Sequence, residues 1–208
     1  MKFLKSIIGC IGLSIIFSCN SSLIDNKSFD KLVNEESRRT IRYDSIVYGV
    51  KLGMTYDDFY YYAFKENREG LFLPSRGGTM VKIDFNEGFD YTVQFDFFPN
   101  NVQGNSTPIN EYKAHIKFKN YSIYNKKMSI DNLLEQTLRF FLKGYKGNKF
   151  IKVPNTDDIF VKYNYVKIDS NRKILIKPSS VMGELNILFE DLKPKGQSWK
   201  NELSLIKS

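Results

Sequence analysis

Thr79-Met80-Val81-Lys82-Ile83-Asp84-Phe85 and Tyr91-Thr92-Val93-Gln94-Phe95-Asp96-Phe97, separated by the turn residues Asn86-Glu87-Gly88, decide the fold class. Alternation with a period of two puts Val81, Ile83 and Phe85 on one face of the first segment and Tyr91, Val93, Phe95 and Phe97 on one face of the second. That is the pattern of a β-hairpin with a buried side. After a loop from Pro99 to Pro108, Tyr112 to Lys119 alternates again, with the polar set Lys113, His115, Lys117 and Lys119 facing one way and the apolar set the other. A sheet with one apolar face must be covered, so helices are expected on that side.

The first cover lies upstream. In Gly49-Val50-Lys51-Leu52-Gly53-Met54-Thr55-Tyr56-Asp57-Asp58-Phe59, Thr55 as N-cap and Asp58 at N3 make a capping-box variant, with Met54 and Phe59 as a hydrophobic staple. A helix is expected from Tyr56 to about Asn67, with Phe59, Tyr60, Tyr62, Ala63 and Phe64 toward the core and Asp57, Asp58, Tyr61 and Lys65 toward water. Met128-Ser129-Ile130-Asp131-Asn132-Leu133 repeats that grammar. The helix it starts carries Ile130, Leu133, Leu134, Thr137, Leu138 and Phe141 on one face and Asp131, Glu135, Gln136 and Arg139 on the other, stopping at Gly144 or Gly147. Strand patterns follow at 159–168, 173–177 and 184–190, with a turn at Asp169-Ser170-Asn171. The expectation is an α+β fold, helices packed on an antiparallel sheet, in one domain over 41–196. The two helix-plus-three-strand units, 49–120 and 125–190, read equally as a duplication or as one domain whose helices share good capping. Residues 197–208, with Trp199, read as a tail.

Lys2 and Lys5 precede the apolar run Ile7 to Phe17, which ends at Ser18-Cys19. A basic start, a short apolar stretch and a small residue before the cut are the parts of a secretory signal, too short to span a bilayer comfortably. Ile16-Phe17-Ser18-Cys19 resembles the lipobox of bacterial lipoproteins, although Phe17 occupies a position where a smaller residue is usual. The resemblance implies a signal peptide over 1–18, acylation of Cys19, and attachment by lipid alone. Residues 19–40, polar and charged, then read as the lipidated cysteine and a flexible tether, with a helical turn around Phe29-Leu32-Val33. Without a dense acidic run after Cys19, the anchor is expected in the outer membrane facing the periplasm. Gly49, Leu52, Gly53, Met54, Thr55 and Phe59 behind such a leader also resemble the small outer-membrane lipoproteins of the barrel-assembly machinery and the β-lactamase inhibitory protein. That likeness implies α/β units with helices against one face of an antiparallel sheet, and a protein-binding role for the open face.

The chemistry available is narrow. Cys10 and Cys19 are the only cysteines and both precede the domain, so no disulfide framework is available to it. The 17 Phe and 13 Tyr must supply much of the core. His115 is the only histidine, which excludes Cys–His and Ser–His–Asp sites and any zinc site needing several such ligands; no metal or cofactor is expected. Asp84, Glu87, Asp90 and Asp96 cluster at one hairpin and read chiefly as turn and solvent-face acids, and Asp84 to Asp90 lacks the closing acid of a calcium loop. Arg76-Gly77-Gly78 lacks the Lys-Ser/Thr pair of a phosphate loop. The net charge of +8, two of it from Lys2 and Lys5, favours anionic partners, and for an exported chain that means lipid or envelope polymer before nucleic acid. Two functions stay in view. One is a non-enzymatic, lipid-anchored envelope module that binds a protein or anionic polymer through Lys113, His115, Lys117 and Lys119; the other is an envelope hydrolase using carboxylates such as Asp84 and Asp96.

Overall fold

A computed structural model describes residues 26–73, 80–156, 160–179 and 183–194. Among them are three α-helices, α1 (Asn26–Ser37), α2 (Tyr56–Arg68) and α3 (Ile130–Gly144). The strands are β1 (Val81–Phe85), β2 (Val93–Pro99), β3 (Glu111–Phe118), β4 (Ile151–Pro154), β5 (Tyr163–Asp169), β6 (Arg172–Pro178) and β7 (Glu184–Asp191). All seven join one antiparallel open sheet in the order β1-β2-β3-β7-β6-β5-β4. The α+β class is as the alternation required. Each half of the chain keeps its strands together, and the halves meet where their last strands, β3 and β7, pair.

One face of the sheet carries the core. Val81, Ile83, Val93, Phe95, Phe97, Tyr112, Ala114, Ile116, Phe118, Leu185, Ile187, Phe189, Ile174 and Ile176 are buried in one cluster with Phe59 of α2 and Leu133, Leu134, Leu138 and Phe141 of α3. Rings do much of this packing: Phe59 meets Phe97 and Tyr112, Phe141 meets Phe189 and Tyr145, and Phe140 meets Phe85 and Phe89. The helix starts are those the capping residues specify. Thr55 accepts from the Asp58 amide at 3.1 Å while Asp58 accepts from the Thr55 amide, a complete capping box. Ser129 caps α3 by accepting from the Asn132 amide at 3.3 Å, but the Asn132 amide group donates back to Lys127, so only half of the box is made.

Four expectations need correction. Tyr60 and Phe64 of α2 are each 55 % exposed, because the helix turns Phe59 onto Phe97 and Tyr112 and only Phe59 and Glu66 are buried. Gln136, expected outside, is buried: its side chain accepts from the Asp90 amide at 2.8 Å and donates to the Asp90 carboxylate, fastening α3 to the β1–β2 turn. The second half has four strands, since Ile151–Pro154 adds β4 at the edge. Finally, 26–37 is not loose tether: Phe29, Leu32, Val33 and Glu36 share one stripe of a helix, and Val33 packs with Ile151, Val166 and Ile168.

This docking of α1 is on the opposite side of the sheet from α2 and α3. β5 reverses the usual assignment there, sending Val166 and Ile168 out under α1 and Lys167 and Asp169 inward. The Lys167 ammonium lies 2.8 Å from Asp169, which also pairs with Arg172 at 3.0 Å, all three within 3 % of full burial. Burial pushes the Lys167 ammonium down, against the pull of Asp169. The Arg172 guanidinium sits 4.2 Å over the Tyr145 ring, whose phenol burial raises far above its ordinary range. At the β5–β6 turn, Ser170, in a left-handed conformation, donates its amide to Glu36 of α1 at 2.8 Å. Beside it Arg42 pairs with Asp191 at 2.6 Å, and the Tyr43 amide donates to Asn171. Together these bonds fasten the end of α1 and the irregular stretch 39–44 that follows it to the end of the sheet.

Candidate functional site

Among the described residues, no helix covers the outer face of β1, β2, β3, β7 and β6. Strand alternation and register place its side chains in rows. One row is Lys82, Asp96, His115, Asn186 and Lys177; a second is Asp84, Gln94, Lys117 and Glu184; a third is Phe98, Lys113, Leu188 and Leu175. Three of the four residues expected to form a binding face, Lys113, His115 and Lys117, do share this surface on β3. Lys119 lies one residue past the strand, where its ammonium is 2.5 Å from the Asp84 carboxylate, so its charge is already neutralised.

His115 is held by its neighbours. Its Nδ1 lies 2.7 Å from Asn186 Oδ1 and 3.1 Å from Glu184 Oε1, and its ring stacks on Phe98 at 6.0 Å between centroids. A carboxylate accepts only from a donor, so Nδ1 carries the proton and Nε2 is the atom left for a ligand. A depression of about 340 Å³ opens beside it, lined by Lys113, Lys177, Asn186, Leu175 and Leu188. Leu175, Lys177, Glu184, Asn186 and Leu188 fall in the strands expected over 173–177 and 184–190, but neither they nor Phe98 were among the residues expected to form the binding face. Alternation alone assigns each to a face of its strand, but only the pairing of β3 with β7, distant in sequence, brings them to His115.

The carboxylates of this face are each committed. Asp84 meets Lys119, Asp96 accepts from Gln94 at 2.6 Å, Glu111 accepts from Asn100, Glu184 meets His115, and Glu190 meets Lys173 at 2.7 Å. By contrast, no carboxylate among the described residues pairs with Lys82, Lys113 or Lys117, so the face carries an excess of positive charge. Asp84 and Asp96 sit on neighbouring strands and each keeps one buried oxygen without a hydrogen-bond partner among the described residues. Glu87 and Asp90 belong to the β1–β2 turn, where they meet Lys143 and Gln136. Among the described residues no group of acids, His and Cys is arranged to hold a metal ion, and no helix is long and apolar enough to cross a membrane. Cys19, Arg76-Gly77-Gly78 and the 197–208 tail lie outside the described residues. No known protein family, curated protein or solved structure matches the chain, so the resemblances stand on the residues that carry them.

Proposed function

We infer that this is a lipid-anchored cell-envelope protein, non-enzymatic, held through acylated Cys19 in the outer membrane facing the periplasm, whose uncovered sheet face binds a protein or an anionic envelope polymer. The observation that supports this reading is the lysine set on that face: among the described residues, no carboxylate pairs with Lys82, Lys113 or Lys117, while the neighbouring acids are engaged by other groups. A structural surface has no need of such an imbalance, whereas a surface that steers and holds an anionic partner does.

In-cell crosslinking of the lipidated protein, with identification of what is recovered, supplies the partner for the test. Lys113→Glu and Lys117→Glu should then weaken binding to that partner, and unchanged affinity would remove the face from consideration. The anchor has a separate check, since the intact mass of the mature N-terminal peptide should begin at Cys19 and include acyl groups. An envelope hydrolase built on Asp84 and Asp96 has less support, because Lys119 and Gln94 tie down one oxygen of each carboxylate. Loss of a measured hydrolytic activity in Asp84→Asn and Asp96→Asn would restore it.

A further inference from the structure

We propose that α2 pairs with the α2 of a second copy of this chain, antiparallel across a two-fold axis. The stripe that makes the contact follows from the helical period. Phe59 packs on Phe97 and Tyr112, and the Tyr62 hydroxyl donates to the Tyr48 carbonyl, which fixes the inward side of the helix. Asp57, Tyr61, Phe64 and Arg68, at spacings of four, three and four, share the outward side, flanked by Tyr60 and Lys65, and each of these residues is exposed. Tyr61 keeps 73 % of its surface in water, and Tyr60 and Phe64 more than half. A surface helix has no structural reason to hold three large rings so close together on its outward side.

What fits this stripe is the stripe itself. Its acid, Asp57, stands in the first turn of the helix and its bases, Lys65 and Arg68, in the last. The ion pairs of α2 are those of Lys65 with Glu66 and Glu69, so among the described residues Asp57 and Arg68 have no ion-pair partner. Turned end for end, a second copy sets its Arg68 against Asp57 and its Asp57 against Arg68, and the same register sets Tyr61 opposite Phe64 twice. A parallel neighbour would instead bring like charges together at both ends. The shape of the surface agrees with the charge. Tyr61, Phe64, Lys65 and Arg68, with Glu69, line a hollow of about 330 Å³, and the first four stand at i, i+3, i+4 and i+7, the corners of the hole that receives a knob when helices pair. In the register set by charge, the knob that enters is Tyr61 of the second copy. The other exposed acids are answered within their own copy, since Asp58 accepts from Thr55 and Glu69 lies 3.8 Å from Lys65. Burial of the rings supplies the attraction, and the charges fix the register. A helix of 13 residues is about 20 Å long and covers less than a standard interface, so the dimer is weak and concentration-dependent. The uncovered sheet face lies on the other side of the sheet from α2 and stays free.

Sedimentation of the mature chain, made soluble by Cys19→Ser, should show a monomer–dimer equilibrium between about 1 μM and 1 mM. Tyr61→Ser, Asp57→Arg and Arg68→Asp should each weaken association about tenfold or more. Asp57→Arg combined with Arg68→Asp should restore it, which a mere loss of structure would not allow. The register has its own readout. With Cys19 replaced, the mature chain contains no cysteine, so Asp57→Cys and Arg68→Cys chains oxidised together should give a mixed disulfide, and either chain alone should give little. A monomer at every concentration, a dimer indifferent to Tyr61→Ser, or disulfides formed by each chain alone as readily as by the mixture would overturn the pairing. So would a monomer that binds vesicles of phosphatidylethanolamine and phosphatidylglycerol and loses them in Tyr61→Ser, a result that gives the stripe to a membrane surface. None of these outcomes touches the reading of the sheet face, whose lysines lie outside α2.

Discussion

The two ends of the sheet's outer face differ in what lies over them. At β4 and β5, apolar Ile151, Val166 and Ile168 are covered by α1, and the inward side of β5 holds a buried ionic cluster. At β2 and β3, the outward residues are Gln94, Asp96, Phe98, Lys113, His115 and Lys117, and no helix among the described residues covers them. The same pleated backbone therefore carries a closed region, where charge is buried and answered, and an open one, where cationic charge is left unanswered. The contrast teaches that an outward-facing apolar pair in a strand demands a cover, and that a polar outward face without one is available to something outside the chain.

The sharpest way to break the contrast is to remove the anion of the closed region. Asp169→Ala leaves Lys167 and Arg172 buried without their counter-charge and should cost about 3–5 kcal/mol of unfolding free energy, read by urea denaturation. Glu36→Ala deprives the fully buried Ser170 amide of its acceptor; a loss of about 1–3 kcal/mol is expected, with faster hydrogen exchange in α1 and the β5–β6 turn and little change in β1–β3.

A pH titration separates buried phenols from exposed charge. Burial raises the phenols of Tyr112 and Tyr145 far above the ordinary value of 10, so above that pH the unfolded chain ionises them and the folded chain does not. The unfolded state then binds fewer protons, and stability falls by about 1.4 kcal/mol per pH unit for each such tyrosine. Lys167, lowered by burial, acts in the opposite direction, raising stability from its depressed value up to the ordinary 10.5 and no further, so the net loss should be plain above about pH 10.5. Tyr112→Phe should flatten that loss in alkaline urea melts. The smallest effect belongs to the open face: Lys113→Glu should change stability by no more than about 0.5 kcal/mol while weakening partner binding.

Much of this was legible in the sequence. Alternation found the hairpin and β3, and hydroxyl caps at Thr55 and Ser129 placed the starts of α2 and α3 to the residue. What escaped depends on contacts between distant segments. Glu36 looks like any residue of a polar leader, and Val33 like part of a single helical turn, until the β5–β6 turn supplies an amide for the one and β4 and β5 an apolar patch for the other. Tyr60 and Phe64 look like core by composition, yet their burial depends on how far across the sheet α2 sits. At the candidate site Lys113, His115 and Lys117 followed from the period of β3 alone, whereas Lys119 was lost to Asp84 through a contact between segments that no periodicity encodes.

The meeting of β3 with β7 at the centre of the sheet also fixes an order of events. β3 is made well before β7, and until β7 arrives it is an edge, with the backbone groups on its β7 side unpaired and Ala114, Ile116 and Phe118 only partly covered. A chain that emerges from its N-terminus therefore passes through a half-sheet open to pairing with a neighbour of its own kind. Protection of that edge, by a holding chaperone or by delay of folding until β7 is out, becomes a requirement of this topology during biogenesis, and the charged Lys113 and Lys117 on one side of β3 also work against pairing of the waiting edge with another copy.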